Sequence, residues 1–300
     1  MHAIEVQGLR KSYGTFDAVK GIDFAVPSGK VFAMLGPNGA GKTTTTEILE
    51  GYRDRDAGNV SVLGFDPSRN NHAMKKRVGI VLQECGFPRF ATVEELLTLQ
   101  AGYYPDPRPV SEVVELVGLT EKCDDTVRAL SGGQQRRLDL ALALVGNPDL
   151  IFLDEPTTGF DPTARREAWE TISNLRSLGK TIFLTTHYMD EAQYLADHIV
   201  VIANGTIVAE GPPDTLGGRD LAATEIRFTT TVTDLPPLGD ATVDIVNGVV
   251  TVQTLTATRT LSTLTQWALS RNSELHGLSV SQPTLEDIYL QLTADKEPVA

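Results

Sequence analysis

The sequence predicts an α/β fold with a mainly parallel core sheet, followed by a smaller α+β domain, on three observations. Short continuous apolar runs at Val31–Leu35, 149–153 and 181–185 have the pattern of strands buried on both faces. Helical periodicities lie between them, at 92–100, 134–145 and 163–177, and strands alternating with helices build parallel sheets. The length, 300 residues, is that of about two domains at ~150 residues each.

Each element has its own signal. The first thirty residues alternate apolar and polar, with turn signals at Tyr13-Gly14 and Pro27-Ser28-Gly29, as antiparallel strands do. A helical run at 44–49 follows the buried strand Val31–Leu35. The strand 198–203 leads through Asn204-Gly205 into 206–210, a hairpin with a tight type I′ turn. Gly211-Pro-Pro213 and Gly217-Gly218 punctuate the end of this body, which sets the expected domains at 1–220 and 221–300. Beyond the boundary the chain turns threonine-rich. Strands are expected at 226–229, 243–246 and 249–252, the last two joined by Asn247-Gly248. A helix at 261–270, a strand at 278–280 and a last helix at 284–292 complete it. Thr284 is placed to cap that helix, with Glu286 and Asp287 in the first turn, where the helix dipole favours negative charge.

Composition bounds the function. With 41% hydrophobic and 22% charged residues the chain is an ordinary globular protein. Its formal net charge is −13, spread along the chain, which gives no general attraction to nucleic acid or anionic lipid. The two cysteines, Cys85 and Cys123, are too few for a disulfide framework or a four-cysteine zinc site and are read as structural. The start lacks the basic region and apolar run of a signal peptide. The apolar runs at 140–145 and 198–203 fall far short of the ~18 residues a spanning helix needs. The chain by itself is expected to be soluble.

Gly36-Pro-Asn38-Gly39-Ala40-Gly41-Lys42-Thr43 fits the phosphate-loop pattern and sits between a buried strand and a helix, the context that pattern requires. Its glycines let the backbone N–H groups of Asn38 to Thr44 converge on phosphate oxygens at a helix N-terminus. Lys42 adds a point charge for the β- and γ-phosphates, and the Thr43 hydroxyl can ligate Mg²⁺. Asp154 and Glu155 follow Leu150-Ile-Phe-Leu153 at the carboxyl end of a strand, where ligands bind in open α/β sheets. Alone they would be read as solvated acids. After a phosphate loop, Asp154 is expected in the Mg²⁺ shell and Glu155 as the group that orients or deprotonates the attacking water. Ser131, Gly132, Gly133 and Gln134 open a second helix with its N-terminus exposed, a second anion-facing end.

Gly36 to Thr43, Leu130-Ser131-Gly132-Gly133-Gln134 and Asp154-Glu155, in that order, make the chain resemble the nucleotide-binding subunit of an ATP-binding cassette (ABC) transporter. The resemblance implies a P-loop NTPase cassette with a mainly parallel core sheet, an antiparallel β subdomain and a helical subdomain carrying the signature. It implies ATP hydrolysis with Mg²⁺. It also implies a head-to-tail homodimer in which each ATP lies between the loop of one subunit and Ser131–Gln134 of the other. Four further positions take roles from the resemblance. Tyr13 matches the aromatic that stacks on adenine. Gln83 matches the glutamine that touches Mg²⁺ and senses the membrane partner. Asp161 matches the loop crossing the dimer interface, and His187 the histidine that contacts the γ-phosphate. The implied catalytic set is Glu155, His187, Lys42 and Gln83.

The segment 85–107 is where such subunits dock the coupling helix of a membrane subunit. Phe87, Phe90, Tyr103 and Tyr104 are candidates for that contact, with core packing as the alternative for each. The basic runs Lys75-Lys-Arg77, Arg136-Arg137 and Arg165-Arg166 are read as solvated helix faces. The ending Gln282-Pro283-Thr-Leu-Glu-Asp287-Ile-Tyr-Leu290 resembles that of bacterial exporters of the daunorubicin-resistance type, with Tyr289 where Phe is common. Gln83-Glu-Cys-Gly-Phe-Pro88 and Thr92-Val-Glu-Glu95 fit the same branch.

That branch implies an exporter of drugs or other amphipathic cargo. Its separately encoded permease, of about six spanning helices, would hold this subunit at the cytoplasmic face of the cell membrane without lipid insertion. Two other readings compete. A non-transport cassette ATPase acting on ribosomes or DNA would usually carry two cassettes or a coiled-coil insertion, and neither is present. An importer subunit would usually carry a different, β-rich C-terminal domain.

Overall fold

The computed structural model of the chain describes residues 1–69, 71–81, 86, 88–230 and 234–294. They divide into two compact units, one spanning Met1–Pro213 and a second beginning at Asp214.

The first unit starts with a hairpin of β1 (His2–Tyr13) and β2 (Phe16–Pro27). Their alternation buries Ile4, Val6, Ile22, Phe24 and Val26 on one face. β3 (Val31–Leu35) is buried at every position, and α1 (Lys42–Glu50) follows it. β4 (Ala57–Val62) then pairs with β1, giving a three-stranded antiparallel sheet in the order β2-β1-β4. A short helix, α2 (His72–Lys75), capped by Asn71, leads into β5 (Val78–Val81).

A helical region follows. Thr92 and Glu95 close a capping box at the start of α3 (Val93–Ala101). After α4 (Val110–Leu116), Ser131 and Gln134 form the same device for α5 (Gly132–Leu144). β6 (Leu150–Asp154) re-enters the core. Asp161 caps α6 (Pro162–Ser177), whose first residue is a proline, as that position favours. β7 (Thr181–Thr186), α7 (Met189–Leu195), β8 (His198–Ala203) and β9 (Thr206–Gly211) finish the unit. At the β8–β9 turn Asn204 (φ 50°) and Gly205 (φ 77°) both lie in the left-handed region, as a type I′ turn requires.

The six core strands run in the order β5-β6-β7-β3-β8-β9, parallel except for β9. Stacked Phe24, Phe32 and Phe183 fasten the antiparallel sheet to the core sheet. Parallel register sets Leu35 beside Thr186 and Asp154 beside Thr185, so the ends of β3, β6 and β7 share one edge. Lys42, Glu155 and His187 follow those three strand ends.

The second unit is a four-stranded antiparallel sheet with helices. Its strands are β10 (Thr224–Thr229), β11 (Thr242–Val246), β12 (Val249–Thr254) and, after α8 (Ala257–Ser270), β13 (His276–Ser281), in the order β11-β12-β10-β13. Ile226, Phe228, Val250, Val252 and Leu264 form its core. α9 (Leu285–Ala294) ends it. The Thr284 hydroxyl accepts from the Asp287 N–H (3.1 Å), and the Asp287 carboxylate accepts from the Thr284 N–H (2.7 Å).

β4, α2, β5, α4 and α7 are not anticipated by the sequence reading. Each is short, and β4 buries only Val60 and Val62 while α4 buries only Val113 and Val114. Two apolar residues are too few to establish a period, and these elements form because a neighbour recruits them. Among the described residues no helix is long and apolar enough to cross a membrane.

Candidate functional site

The loop between β3 and α1 is a backbone cradle. A Cβ on Gly41 (φ 109°) would lie 2.6 Å from the Ala18 carbonyl oxygen, and one on Gly36 would lie 2.3 Å from that of Ile202. Both positions therefore exclude any other residue. Lys42 is buried, and its Nζ donates to the carbonyls of Gly36 (2.8 Å) and Pro37 (3.2 Å). Thr45 and Thr46 are also buried, and their hydroxyls donate to the carbonyls of Gly41 and Lys42 one turn back.

An open cavity of about 360 Å³ faces this loop. Tyr13, Asn38, Gly39, Gly41, Lys42, Thr43, Thr44 and Glu155 line it, joined by Phe16 and Ala18, which the sequence reading did not single out. Ala40 is buried beneath the loop and off the wall. Tyr13 is 40% exposed, with the Arg53 guanidinium 5.3 Å and the Lys11 ammonium 5.7 Å from its ring centre.

Glu155 adopts a left-handed backbone (φ 46°), uncommon for a residue with a side chain. Its N–H donates to the Thr185 carbonyl (3.1 Å) and lies 3.2 Å from the Thr185 hydroxyl, which fixes that turn to the end of β7. Oε1 lies 3.4 Å from Lys42 Nζ, and Oε2 lies 3.3 Å from His187 Nδ1. The Thr158 hydroxyl also donates to Oε2, at 3.3 Å. Burial alone would push the Glu155 carboxyl up. The adjoining Lys42 charge, then His187, outweigh burial and hold it below the usual value. The carboxylate is thus kept ionised, as a base or water-orienting group must be. Asp154 Oδ1 accepts a hydrogen bond from the Thr185 hydroxyl.

Ser131, Gly132, Gly133, Gln134 and Asp161 do not line this cavity. Ser131 Oγ accepts from the Gln134 N–H (3.3 Å) and Gln134 Oε1 from the Ser131 N–H (2.8 Å). That leaves the Gly132 and Gly133 N–H groups at the exposed start of α5 without intrahelical acceptors. Asp161 is engaged as a helix cap, accepting from Thr163 and Ala164. Gln83 lies outside the described residues, as do Cys85 and Phe87. Phe90 and Tyr103 are exposed, whereas Tyr104 lines a different cavity.

The basic runs need correction. Lys75 and Lys76 are solvated, but Arg136 and Arg165 are not. The Arg136 guanidinium donates to the carbonyls of Pro156 (3.3 Å) and Asp154 (3.4 Å) and pairs with Asp139 (3.3 Å), so it ties α5 to the end of β6. The Arg165 guanidinium lies 4.4 Å from the ring centre of Tyr188 and pairs with Asp190. Adjacent arginines read as solvent-facing by composition, whereas the groups that capture these two come from elsewhere in the chain: the end of β6 and the turn after it for Arg136, the start of α7 for Arg165. Glu191 was also missed. It is fully buried and accepts from the Thr157 hydroxyl (2.7 Å) and the Trp169 indole (3.0 Å), joining α7, α6 and the turn after β6. Its one sequence signal is an acid four residues after His187 on an inward helix face.

A lysine-bearing glycine loop after β3, and an ionised acid just after β6, two strands away in the same sheet, define a P-loop ATPase of the α/β class. Residues 19–158 match the ABC transporter family, and 224–284 match the C-terminal domain described as ABC transporter domain-containing protein-like. The chain is 33% identical over 304 residues to the linearmycin resistance ATP-binding protein of Bacillus subtilis, covering 97% of this chain and 98% of that one. It is 35% identical over 308 residues to a daunorubicin resistance ATP-binding protein of Streptomyces coeruleorubidus, covering 99% and 98%. With the Nod factor export ATP-binding protein I of Burkholderia thailandensis it shares 46% over 219 residues, 71% of this chain and 72% of that one.

Among solved structures, an ATP-binding subunit of an ABC transporter superposes with a TM-score of 0.64 at 25% identity, over 71% of this chain and 90% of that one. The Clostridium perfringens subunit cbiO1, part of the ABC transporter complex cbiONQ, does so with a TM-score of 0.64 at 28%, over 71% and 89%. The chain belongs to the ABC transporter family and is one of its ATP-binding, ATP-hydrolysing subunits. Subunits of this kind work as dimers and pair with a membrane subunit.

Proposed function

We propose that this chain powers export of a drug-like or otherwise amphipathic cargo through a separately encoded membrane subunit of about six spanning helices. Similarity over nearly the whole length to the linearmycin and daunorubicin resistance proteins supports the exporter branch. In this reading residues 1–220 form the cassette and 221–300 an accessory domain, held at the cytoplasmic face of the membrane through the partner.

The observation that carries the catalytic reading is the position of Glu155 between Lys42 and His187. ATP lies on the loop with Tyr13 against adenine, and the N–H groups of Asn38 to Thr44 hold the phosphates. Incoming γ-phosphate oxygens take Lys42 from the Gly36 and Pro37 carbonyls, and Glu155 orients the attacking water. His187 and Lys42 stabilise charge spread over the γ-phosphoryl oxygens, the main demand of this reaction. The donors available suit Mg²⁺, being hard oxygens of Thr43 and Asp154, with Gln83 as the further expected ligand. Among the described residues no His, Cys, Asp and Glu group is dense enough to hold a metal without the phosphates. Mg²⁺ bound there would neutralise charge on the β- and γ-phosphates.

Ser131–Gln134 and Asp161 lie off the cavity of their own chain, which supports a head-to-tail dimer in which they complete the partner's site. The test is Glu155→Gln, expected to abolish turnover while ATP stays bound in a stable dimer. Turnover at the wild-type rate removes Glu155 from its role. Lys42→Ala is expected to lose nucleotide affinity by calorimetry, and unchanged binding removes the loop from the site.

A further inference from the structure

Glu191, on α7, is a fully buried acid outside the lining of the nucleotide cavity. Burial pushes its carboxyl up, against the pull of the hydrogen bonds it accepts, and among the described residues no cation pairs with it. An apolar side chain of similar size would escape that cost, so packing alone does not account for an acid here.

The direction of its bonds does. Thr157 comes two residues after Glu155, in the turn that leaves β6, and Glu191 comes four residues after His187, in the segment that leaves β7. These two segments meet twice. Glu155 Oε2 lies 3.3 Å from His187 Nδ1, and the buried Thr157 hydroxyl donates to Glu191 Oε1 at 2.7 Å. The second contact is thus a rung behind the first. Trp169 of α6 donates to the same oxygen (3.0 Å) and stacks on Tyr194 of α7, with 5.2 Å between ring centres, so α7 cannot slide without breaking both. On either side of His187, the Thr186 hydroxyl accepts from the Tyr188 N–H (2.9 Å), which holds the histidine in a tight turn.

We propose that Glu191 is a positioning residue for ATP hydrolysis, its accepting Oε1 holding the turn after β6 and the start of α7 at the spacing that keeps Glu155 beside His187. The inference rests on the reading of Glu155 and His187 as the groups that serve the attacking water and the γ-phosphate. Groups misplaced by about 1 Å can lose ~10²-fold in rate. The hydrogen bonds of Glu191 go to Thr157 and Trp169 and not to the phosphate loop, so the defect belongs in kcat and not in nucleotide affinity.

The test uses the full chain with Mg²⁺ and ATP, comparing Glu191→Ala, Glu191→Gln, Thr157→Val and Glu155→Gln, with turnover counted per folded molecule and ATP affinity taken from calorimetry. Glu191→Ala is expected to lose tenfold or more in kcat while binding ATP within about twofold of wild type. Glu191→Gln keeps an accepting oxygen at the rung and is expected to stay within about threefold of wild type. Thr157→Val removes the rung while Glu191 remains, and is expected to slow turnover threefold or more, with the double variant Thr157→Val/Glu191→Ala no slower than Glu191→Ala. Wild-type kcat in Glu191→Ala or in Thr157→Val overturns the inference, as does an equal loss of kcat and ATP affinity, which would make Glu191 a general stabiliser. Glu191→Gln as slow as Glu191→Ala would mean that charge and not the accepting oxygen matters, and overturns it too. If Glu191→Ala does not fold, Thr157→Val and Glu191→Gln decide. An inactive Glu155→Gln beside a fully active Glu191→Ala sinks this inference alone, whereas a fully active Glu155→Gln overturns the catalytic reading and this inference together.

Discussion

Two glutamates show how environment divides one residue type into two chemistries. Glu155, beside Lys42 and His187, is held below the ordinary carboxylate range, whereas burial raises Glu50 to about 8. The consequences for stability have opposite signs. Glu155 contributes stability that is present above its unfolded value and lost as pH falls through its depressed folded value. Glu50 is the reverse. Between its ordinary value of 4.5 and about 8 the folded chain holds a proton that the unfolded chain releases, so rising pH costs stability over that window. Glu50→Gln removes the penalty. Thermal melts of the free chain are therefore expected to show the variant more stable by on the order of a few kcal/mol at pH 8 to 9, with the difference vanishing towards pH 5. A variant that melts at the wild-type temperature across that range would mean Glu50 ionises freely.

At the scale of elements, the site depends on which strand ends meet and on what locks them. Arg136 is the clearest lock, because one guanidinium bonds a carbonyl at the end of β6, another in the turn after it, and the buried Asp139 of its own helix. Arg136→Ala strands that carboxylate and frees the turn bearing Glu155, at a cost of ~1–3 kcal/mol. Single-turnover measurements are expected to show hydrolysis slowed tenfold or more while ATP affinity changes about twofold or less, since Lys42 and its loop are untouched. Equal losses in both would make Arg136 a general stabiliser. This lock also marks the limit of what the sequence reveals. The loop 36–43, the signature 131–134 and the acids 154–155 are legible because backbone cradles, caps and strand ends leave contiguous patterns. Arg136 and Glu191 are not, because the carbonyls that hold the first and the donors that hold the second lie 18 or more residues away in the chain. The same contrast separates β3, whose apolar run announces it, from β4, which exists because β1 offers it an edge.

For the whole molecule the decisive question is how one chain with two anion-facing helix ends forms a complete site. α1 opens onto the nucleotide cavity, while α5 presents Gly132 and Gly133 away from it. A single chain therefore offers two half-sites. In the proposed head-to-tail dimer each half-site of one copy would meet the opposite half-site of the other, so both would be filled by one operation and the assembly would close at two. This arrangement makes an unusual demand on mixtures of inactive chains. Take Lys42→Ala, which ruins the loop, and Ser131→Arg, which obstructs the signature. Each homodimer then carries one defect in both sites and is inactive. A mixed dimer combines the two defects in one site and leaves the other whole. If each site turns over independently, an equimolar mixture is expected to regain about a quarter of wild-type ATPase activity, half of its dimers being mixed and each having one good site. If a chain completed its own site, every site in the mixture would hold one defect, and activity would stay at the level of the separate variants.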